Sequence, residues 1–376
     1  MITRVLKEKL KSRFGIGKVI IIIGPRQVGK STLLRELQKE MNQKTLFINC
    51  DEPDMRLMLE NVTSTQLQAL VGTNTLVMID EAQKVINIGE TLKLMVDSIE
   101  NVQIVVTGSS AFDLLNKTNE PLTGRKFEFN LFPISTNELV IHQGKIEERR
   151  MLERRMIYGL YPEIISNPGN EQEYLLELIN SYLYKDILSF QNIRKPEVLN
   201  KLLTALALQL GQEVSYNELS QLVGVDKTTI EKYIELLEKC FVVFRLSSFS
   251  RNLRNELKRT RKVFFYDNGV RNAILNNFAP LSLRQDVGAL WENFMVSERV
   301  KQNSYNRSFQ KLYFWRTQTQ QEIDLLEEKD GILYAFEFKW NPKRKVSIPK
   351  SFADAYPDHR FKVISSENYI ELLTMQ

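Results

Sequence analysis

Residues 18–23 read Lys-Val-Ile-Ile-Ile-Ile and run straight into Gly24-Pro25-Arg26-Gln27-Val28-Gly29-Lys30-Ser31-Thr32, after which Leu33, Leu34 and Leu37 recur at helical spacing. A short β-branched apolar run bounded by glycine predicts a buried strand of a parallel sheet. Gly24 to Ser31 then fits G-x-x-x-x-G-K-[ST] in the setting that motif needs, with a strand before it and a helix after it. The chemistry accounts for the spacing. Glycines let backbone N–H groups close around phosphate oxygens, and the helix N-terminus adds its positive end. The loop Gly24, Pro25, Arg26, Gln27, Val28, Gly29, Lys30, Ser31 and Thr32 is therefore expected to cradle ATP. In it Lys30 would reach the β- and γ-phosphates and the Ser31 hydroxyl would ligate Mg²⁺.

Three further apolar runs extend the pattern. Thr75 to Ile79 ends in Asp80-Glu81, Val102 to Val106 ends in Thr107-Gly108-Ser109-Ser110, and Thr45 to Asn49 lies between the first strand and these. Strands alternating with helices imply a doubly wound, mostly parallel sheet, and ligands bind such sheets at the carboxyl ends of the strands. Asp80 is expected to hold Mg²⁺ and Glu81 to polarise the attacking water. Thr107 stands where a sensor of the γ-phosphate would stand; a plain strand-ending turn is the competing reading.

Taken together, Gly24 to Thr32, Ile79-Asp80-Glu81-Ala82-Gln83 and Thr107 to Ser110 resemble the AAA+-type ATPases of bacteria and archaea in which a nuclease-like region follows the ATPase core. Leu122-Thr123-Gly124-Arg125 and Leu131-Phe132-Pro133-Ile134-Ser135 are similar to that family as well. The resemblance implies Walker A, Walker B and sensor elements. It makes Arg125 a candidate for γ-phosphate contact, in cis or from a neighbouring subunit of a homo-oligomer; a plain surface arginine is the alternative.

The middle of the chain has another character. Residues 147–190 are rich in helix formers, broken at Tyr158-Gly159-Leu160-Tyr161-Pro162-Glu163. Helices are expected from Leu199 to Leu210, from Ser215 with Glu218 completing a capping box, and from Lys227 to Lys239 behind an Asp226 cap. That order, with a strand from Phe241, predicts a winged helix. It could enter a DNA groove or serve protein packing. The cations Arg251, Arg254, Lys258, Arg259, Arg261 and Lys262 follow, against Glu256 alone. Such density suits phosphate contact or a solvated face.

The last third predicts a helix over 287–301, holding Glu292 and Glu298, then three strands, a helix and a strand. Glu337 and Lys339 are two apart and share a strand face, and Asp324 on the neighbouring strand can meet them. Two carboxylates for a divalent cation and a lysine beside them are the parts of metal-assisted phosphodiester hydrolysis. This resembles the PD-(D/E)XK nuclease fold, with Asp324, Glu337 and Lys339 in motif positions and Glu292 as the first-helix acid. Ile323, not proline, precedes Asp324. An exposed hairpin with ordinary charges is the competing reading.

Composition bounds the rest. The chain has 376 residues, 43% hydrophobic and 26% charged, with net charge +5, which permits a DNA partner without demanding one. No apolar run reaches 18 residues, so no membrane partner is expected. Two cysteines, Cys50 and Cys240, and two histidines, His142 and His359, argue against zinc and point to a reducing cytoplasm. The expected organisation is a P-loop ATPase domain over 1–145 and a helical lid or linker over 146–195. A winged-helix-like domain over 196–270 and a nuclease-like domain over 271–376 follow.

Overall fold

A computed structural model describes residues 2–109, 118, 120–184, 196–250, 261–308 and 310–374. Ser110 and the cations Arg251, Arg254, Lys258 and Arg259, with Glu256, lie outside the described residues. The chain divides into two units, residues 1–133 with 239–241 and residues 134–238 with 242–376.

The first unit is a five-stranded sheet in the order β2-β3-β4-β1-β5, with every pairing parallel. Its strands are β1 (Val19–Ile23), β2 (Thr45–Asn49), β3 (Leu76–Asp80), β4 (Gln103–Gly108) and β5 (Lys126–Asn130). All five side chains of β1 and of β3 are buried, as continuous β-branched and apolar runs require in a sheet covered on both faces. Helices α1 (Leu6–Lys11), α2 (Lys30–Met41), α3 (Pro53–Leu57), α4 (Ser64–Val71) and α5 (Ile88–Ser98) accompany them. The turn into α4 is fixed by a capping box between Thr63 and Gln66. Register matters for the site. Ile22 pairs with Thr107 and Ile23 with Gly108, while Ile79 pairs with Val106 on the other side of β4. The carboxyl ends of β3, β4 and β1 therefore stand in a row.

The second unit begins at Ile134, ahead of the boundary at 145 read from the sequence. The reason is visible in its hydrogen bonds. The helix Thr136–Gln143 starts with a Ser135–Glu138 capping box, and the Thr136 amide donates to the Glu298 carboxylate at 2.6 Å. Lys301 Nζ donates to the Ile134 carbonyl at 3.2 Å. Both partners sit on the long helix Val287–Asn306, so the segment after Pro133 is tied into this unit.

Short helices and a π-helical turn fill 145–184. The expected three-helix order appears as Pro196–Leu208, Tyr216–Val223 and Lys227–Lys239. The strand after it, β6 (Val243–Ser248), pairs antiparallel with β7 (Arg261–Phe265). Its other edge pairs in parallel with β8 (Leu312–Arg316) through Ser247 and Ser248. The sheet continues through β9 (Glu322–Lys329), β10 (Ile332–Phe338) and β11 (His359–Ile364), giving six strands in the order β11-β10-β9-β8-β6-β7. The segments 196–270 and 271–376 thus share one sheet. A β6/β7 ribbon left alone would expose an unpaired edge and is marginal in water, whereas joined to β8 it shares a core.

Among the described residues no helix is long and apolar enough to cross a membrane.

Candidate functional site

Gly24 directly follows β1, and its backbone packs so closely on Leu131 that the Leu131 carbonyl oxygen occupies the place a Cβ would take. Gly29 has φ of +93°, a conformation side chains resist, and it hands the chain to α2. Lys30 is 5% exposed, and its ammonium donates to the loop's own carbonyls, Gly24 O at 2.9 Å and Pro25 O at 2.8 Å. Pro25 and Val28 are buried, Ser31 is half-buried, and Arg26, Gln27 and Thr32 are exposed.

Beside the loop stands a connected polar row. Asp80 is 6% exposed at the end of β3 and accepts the Thr107 hydroxyl on Oδ1. Thr107, fully buried, accepts in turn from the Glu81 amide at 3.2 Å. Glu81 is held at φ of +53°, a region that costs an L-residue roughly 1–2 kcal/mol and recurs at functional sites. Gln83 Nε2 donates to Glu81 Oε2 at 2.6 Å and to Ser109 Oγ at 2.8 Å. Sequence reasoning gave Gln83 no role; its signal was a polar residue two places after the acidic pair, in a stretch otherwise turning inward. Ser31 and Asp80 offer hard oxygen donors, and a buried carboxylate whose hydrogen bonding leaves acceptor capacity fits Mg²⁺ chemically.

Arg125 does not join this row. It precedes β5, its carbonyl accepts the Val19 amide, and its guanidinium donates to Asp97 at 2.8 Å. That is the amino end of β1 and β5, while the P-loop leaves the carboxyl end; five residues at about 3.3 Å each separate them by roughly 16 Å. A γ-phosphate contact by Arg125 in cis is therefore corrected: an arginine four residues before Phe129 in a parallel strand begins at the wrong pole of the sheet.

In the second unit, Asp324, Glu337 and Lys339 do come together. Lys339 Nζ lies 2.6 Å from Glu337 Oε1 and 3.5 Å from Asp324 Oδ2. Asp324 Oδ2 also accepts the Phe338 amide at 2.7 Å, replacing a sheet hydrogen bond at the end of the β9/β10 ladder. Burial, then the neighbouring Asp324 charge, raise the Glu337 carboxyl above its ordinary range. Burial works against the Lys339 ammonium, but Asp324 and Glu337 outweigh it and hold the lysine above the usual value.

A second cluster shares Asp324. Carboxylate oxygens of Glu292, Glu322 and Asp324 lie within 4.8 Å of one another, a spacing that could hold a metal ion. Lys262 stands against them. It is 1% exposed, donates to Glu292 Oε1 at 2.8 Å and also bonds Glu322. Burial opposes its charge, yet Glu292, Glu322 and Asp324 keep its affinity for the proton above that of a free lysine. Lys262 was expected among cations facing phosphate; the structure corrects this, because on β7 it shares a strand face with the buried Phe264 and points inward. Its two-residue spacing from the apolar Phe264 was the available signal, masked by the charges around it. Arg245 is likewise committed internally, to Glu238 and to the Tyr216 hydroxyl at 3.0 Å. Arg261 reaches the same hydroxyl at 3.4 Å.

Ser215 and Asp226 both cap their helices, but the expected capping box is only half formed, because the Glu218 carboxylate accepts from Gln209 Nε2 at 3.2 Å instead. Ser215 Oγ accepts the Glu218 amide at 3.4 Å, and Asp226 accepts from Thr229 N at 2.9 Å and Thr229 Oγ1 at 2.6 Å.

Three family models match segments of the chain. Residues 17–140 match the model of an AAA domain, residues 149–281 a domain of unknown function (DUF8612), and residues 287–372 another (DUF4143). An uncharacterized protein of Mycobacterium tuberculosis is 28% identical over 326 residues, 85% of this chain and 70% of its own. An uncharacterized protein of Haemophilus influenzae is 25% identical over 353 residues, covering 85% and 83%. Among solved structures, the Thermotoga maritima RuvB Holliday junction branch migration motor aligns at 16% identity with a TM-score of 0.33, over 73% of this chain and 95% of that one.

Proposed function

We propose that the AAA domain binds ATP with Mg²⁺ and hydrolyses it. The observation that carries this is the polar row Asp80-Thr107-Glu81-Gln83-Ser109, aligned with the phosphate loop by the register of β3, β4 and β1. Mg²⁺ would be held by Ser31 and Asp80 and would neutralise charge on the phosphates. Lys30, released from the Gly24 and Pro25 carbonyls, binds phosphate oxygens. Glu81 orients the attacking water, Gln83 aims its carboxylate, and Thr107 fixes Asp80 and the Glu81 backbone together. Lys30→Ala should abolish turnover and weaken ATP binding, while Glu81→Gln should bind ATP and fail to hydrolyse it. Full ATPase activity in Lys30→Ala would place the site elsewhere.

The second unit couples this cycle to DNA. The helix-turn-helix order over 196–239 supports contact with the duplex, and Asp324, Glu337 and Lys339 have the composition of a metal-dependent phosphodiesterase. One observation favours a second reading, a nucleotide-dependent switch or scaffold whose nuclease-like region is a docking module. The ammonium of Lys262 already bonds both Glu292 and Glu322 beside Asp324, so the cluster has an internal cation. Plasmid nicking with Mg²⁺ or Mn²⁺ separates the two: cleavage lost in Asp324→Ala and Glu337→Ala supports the nuclease, and no cleavage by the wild type supports the switch. A homo-oligomer with Arg125 acting in trans is compatible with the exposed Arg125–Asp97 pair, which a neighbouring subunit could open.

A further inference from the structure

Arg4 precedes α1 and is 6% exposed, unusual for an arginine. Its two terminal nitrogens diverge onto two backbone carbonyls far away in sequence. Nη1 donates to Val28 O at 2.7 Å and Nη2 to Phe132 O at 2.6 Å.

The first of these contacts acts on the phosphate loop. Val28 O belongs to the peptide group joining Val28 to Gly29, and no peptide bond among the described residues is cis. In a trans peptide the carbonyl and the amide N–H point in opposite directions. A guanidinium that draws the Val28 oxygen to one side therefore turns the Gly29 N–H to the other. The second contact anchors the guanidinium to the chain just beyond β5. That same chain supports the start of the loop, since Leu131 donates to Ile23 O at 2.7 Å and packs on Gly24. Both ends of the loop are thus braced against 131–132, one directly and one through Arg4.

We propose that Arg4 is a positioning residue for nucleotide binding: it holds the Val28–Gly29 peptide with its N–H turned into the phosphate cradle. This rests on the ATPase reading. Lysine is a poor replacement, because its one nitrogen cannot stand at both Nη1 and Nη2, from which the two divergent carbonyls are reached.

The test uses the full chain and ATP, with binding and steady-state hydrolysis measured for wild type, Arg4→Lys, Arg4→Ala and Lys30→Ala. Losing charge-assisted hydrogen bonds to the loop should weaken ATP binding and raise KM about tenfold or more in both Arg4 variants, with kcat within about threefold of wild type. Millimolar guanidinium should restore binding to Arg4→Ala and leave Lys30→Ala unchanged. If Arg4→Ala fails to fold, as thermal melting would reveal, Arg4→Lys carries the test. Wild-type KM in Arg4→Lys, or a fall in kcat with KM unchanged, overturns the inference while the ATPase reading stands. A wild-type chain that neither binds nor hydrolyses ATP overturns both.

Discussion

The hydroxyl of Thr107 accepts the amide hydrogen of Glu81 at 3.2 Å while donating its own hydrogen to Asp80. One side chain on β4 thereby fixes both acidic residues at the end of β3, and it does so in a fully buried position. Thr107→Val keeps the shape and removes both bonds. It should leave ATP binding near wild type and lower kcat by about ten- to a hundredfold, as expected when hydrogen bonds to charged groups worth about 1.5–3 kcal/mol are lost. Unchanged kcat in a folded Thr107→Val would reduce Thr107 to a strand-ending residue.

Gly24→Ala tests the loop from the opposite side. The added methyl meets a backbone oxygen, Leu131 O, which cannot rotate away as a side chain could. Overpacking of this kind costs about 1–3 kcal/mol, and here the strain falls on the phosphate loop. A lower Tm together with weakened ATP binding is expected. Gly288→Ala serves as the control, since its Cβ would meet nothing within 4 Å.

Much of the first unit was legible because its signals are local. A β-branched run, a glycine-bounded loop and an acidic pair each occupy a few consecutive residues, and the structure shifts their bounds by only one or two positions. The second unit was less so. Nothing in Val243–Ser248 announces that its free edge pairs with Leu312–Arg316, since sheet partners distant in sequence leave no periodicity. The same limit hid Lys262, whose partners Glu292 and Glu322 lie 30 and 60 residues away. The cis option for Arg125 was hidden for a related reason: its place in the chain looked right, and only the parallel register showed which pole of the sheet it occupies.

Asp286 gives a pH dependence with a definite sign. Burial pushes its carboxyl up, but hydrogen bonds from Arg284 and Arg271 win and bring it down to about 2. A depressed carboxylate contributes stability that is complete well above its unfolded value and disappears as pH falls toward 2. Because the side chain is 29% exposed, solvent screening reduces the contribution to about 1–2 kcal/mol. Thermal melts from pH 5 to pH 2 should show the wild type losing more stability than Asp286→Asn, the two curves converging at the acid end. Parallel curves would mean that the two arginines do not stabilise the charged form.

The boldest prediction concerns Lys262. Its ammonium sits against Glu292 and Glu322 with 1% exposure, so Lys262→Met leaves buried carboxylates without their cation. Breaking such a buried pair from one side costs about 3–5 kcal/mol. Methionine roughly preserves the volume, so lost packing contributes little. A divalent cation should then take the place the ammonium held, since three carboxylate oxygens within 4.8 Å remain. In Lys262→Met, Mn²⁺ at 100-fold excess over its Kd should recover about 2.7 kcal/mol, a rise in Tm of roughly 5 °C or more. Lys262→Arg keeps the charge and should not respond, nor should the wild type at this cluster. The readout is a Tm series against Mn²⁺ for the three proteins, with Asp324→Asn added to Lys262→Met to localise the ion. A large Mn²⁺ response in the wild type, lost in Asp324→Asn, would show that the metal binds with Lys262 present. The nuclease reading would then gain over the switch.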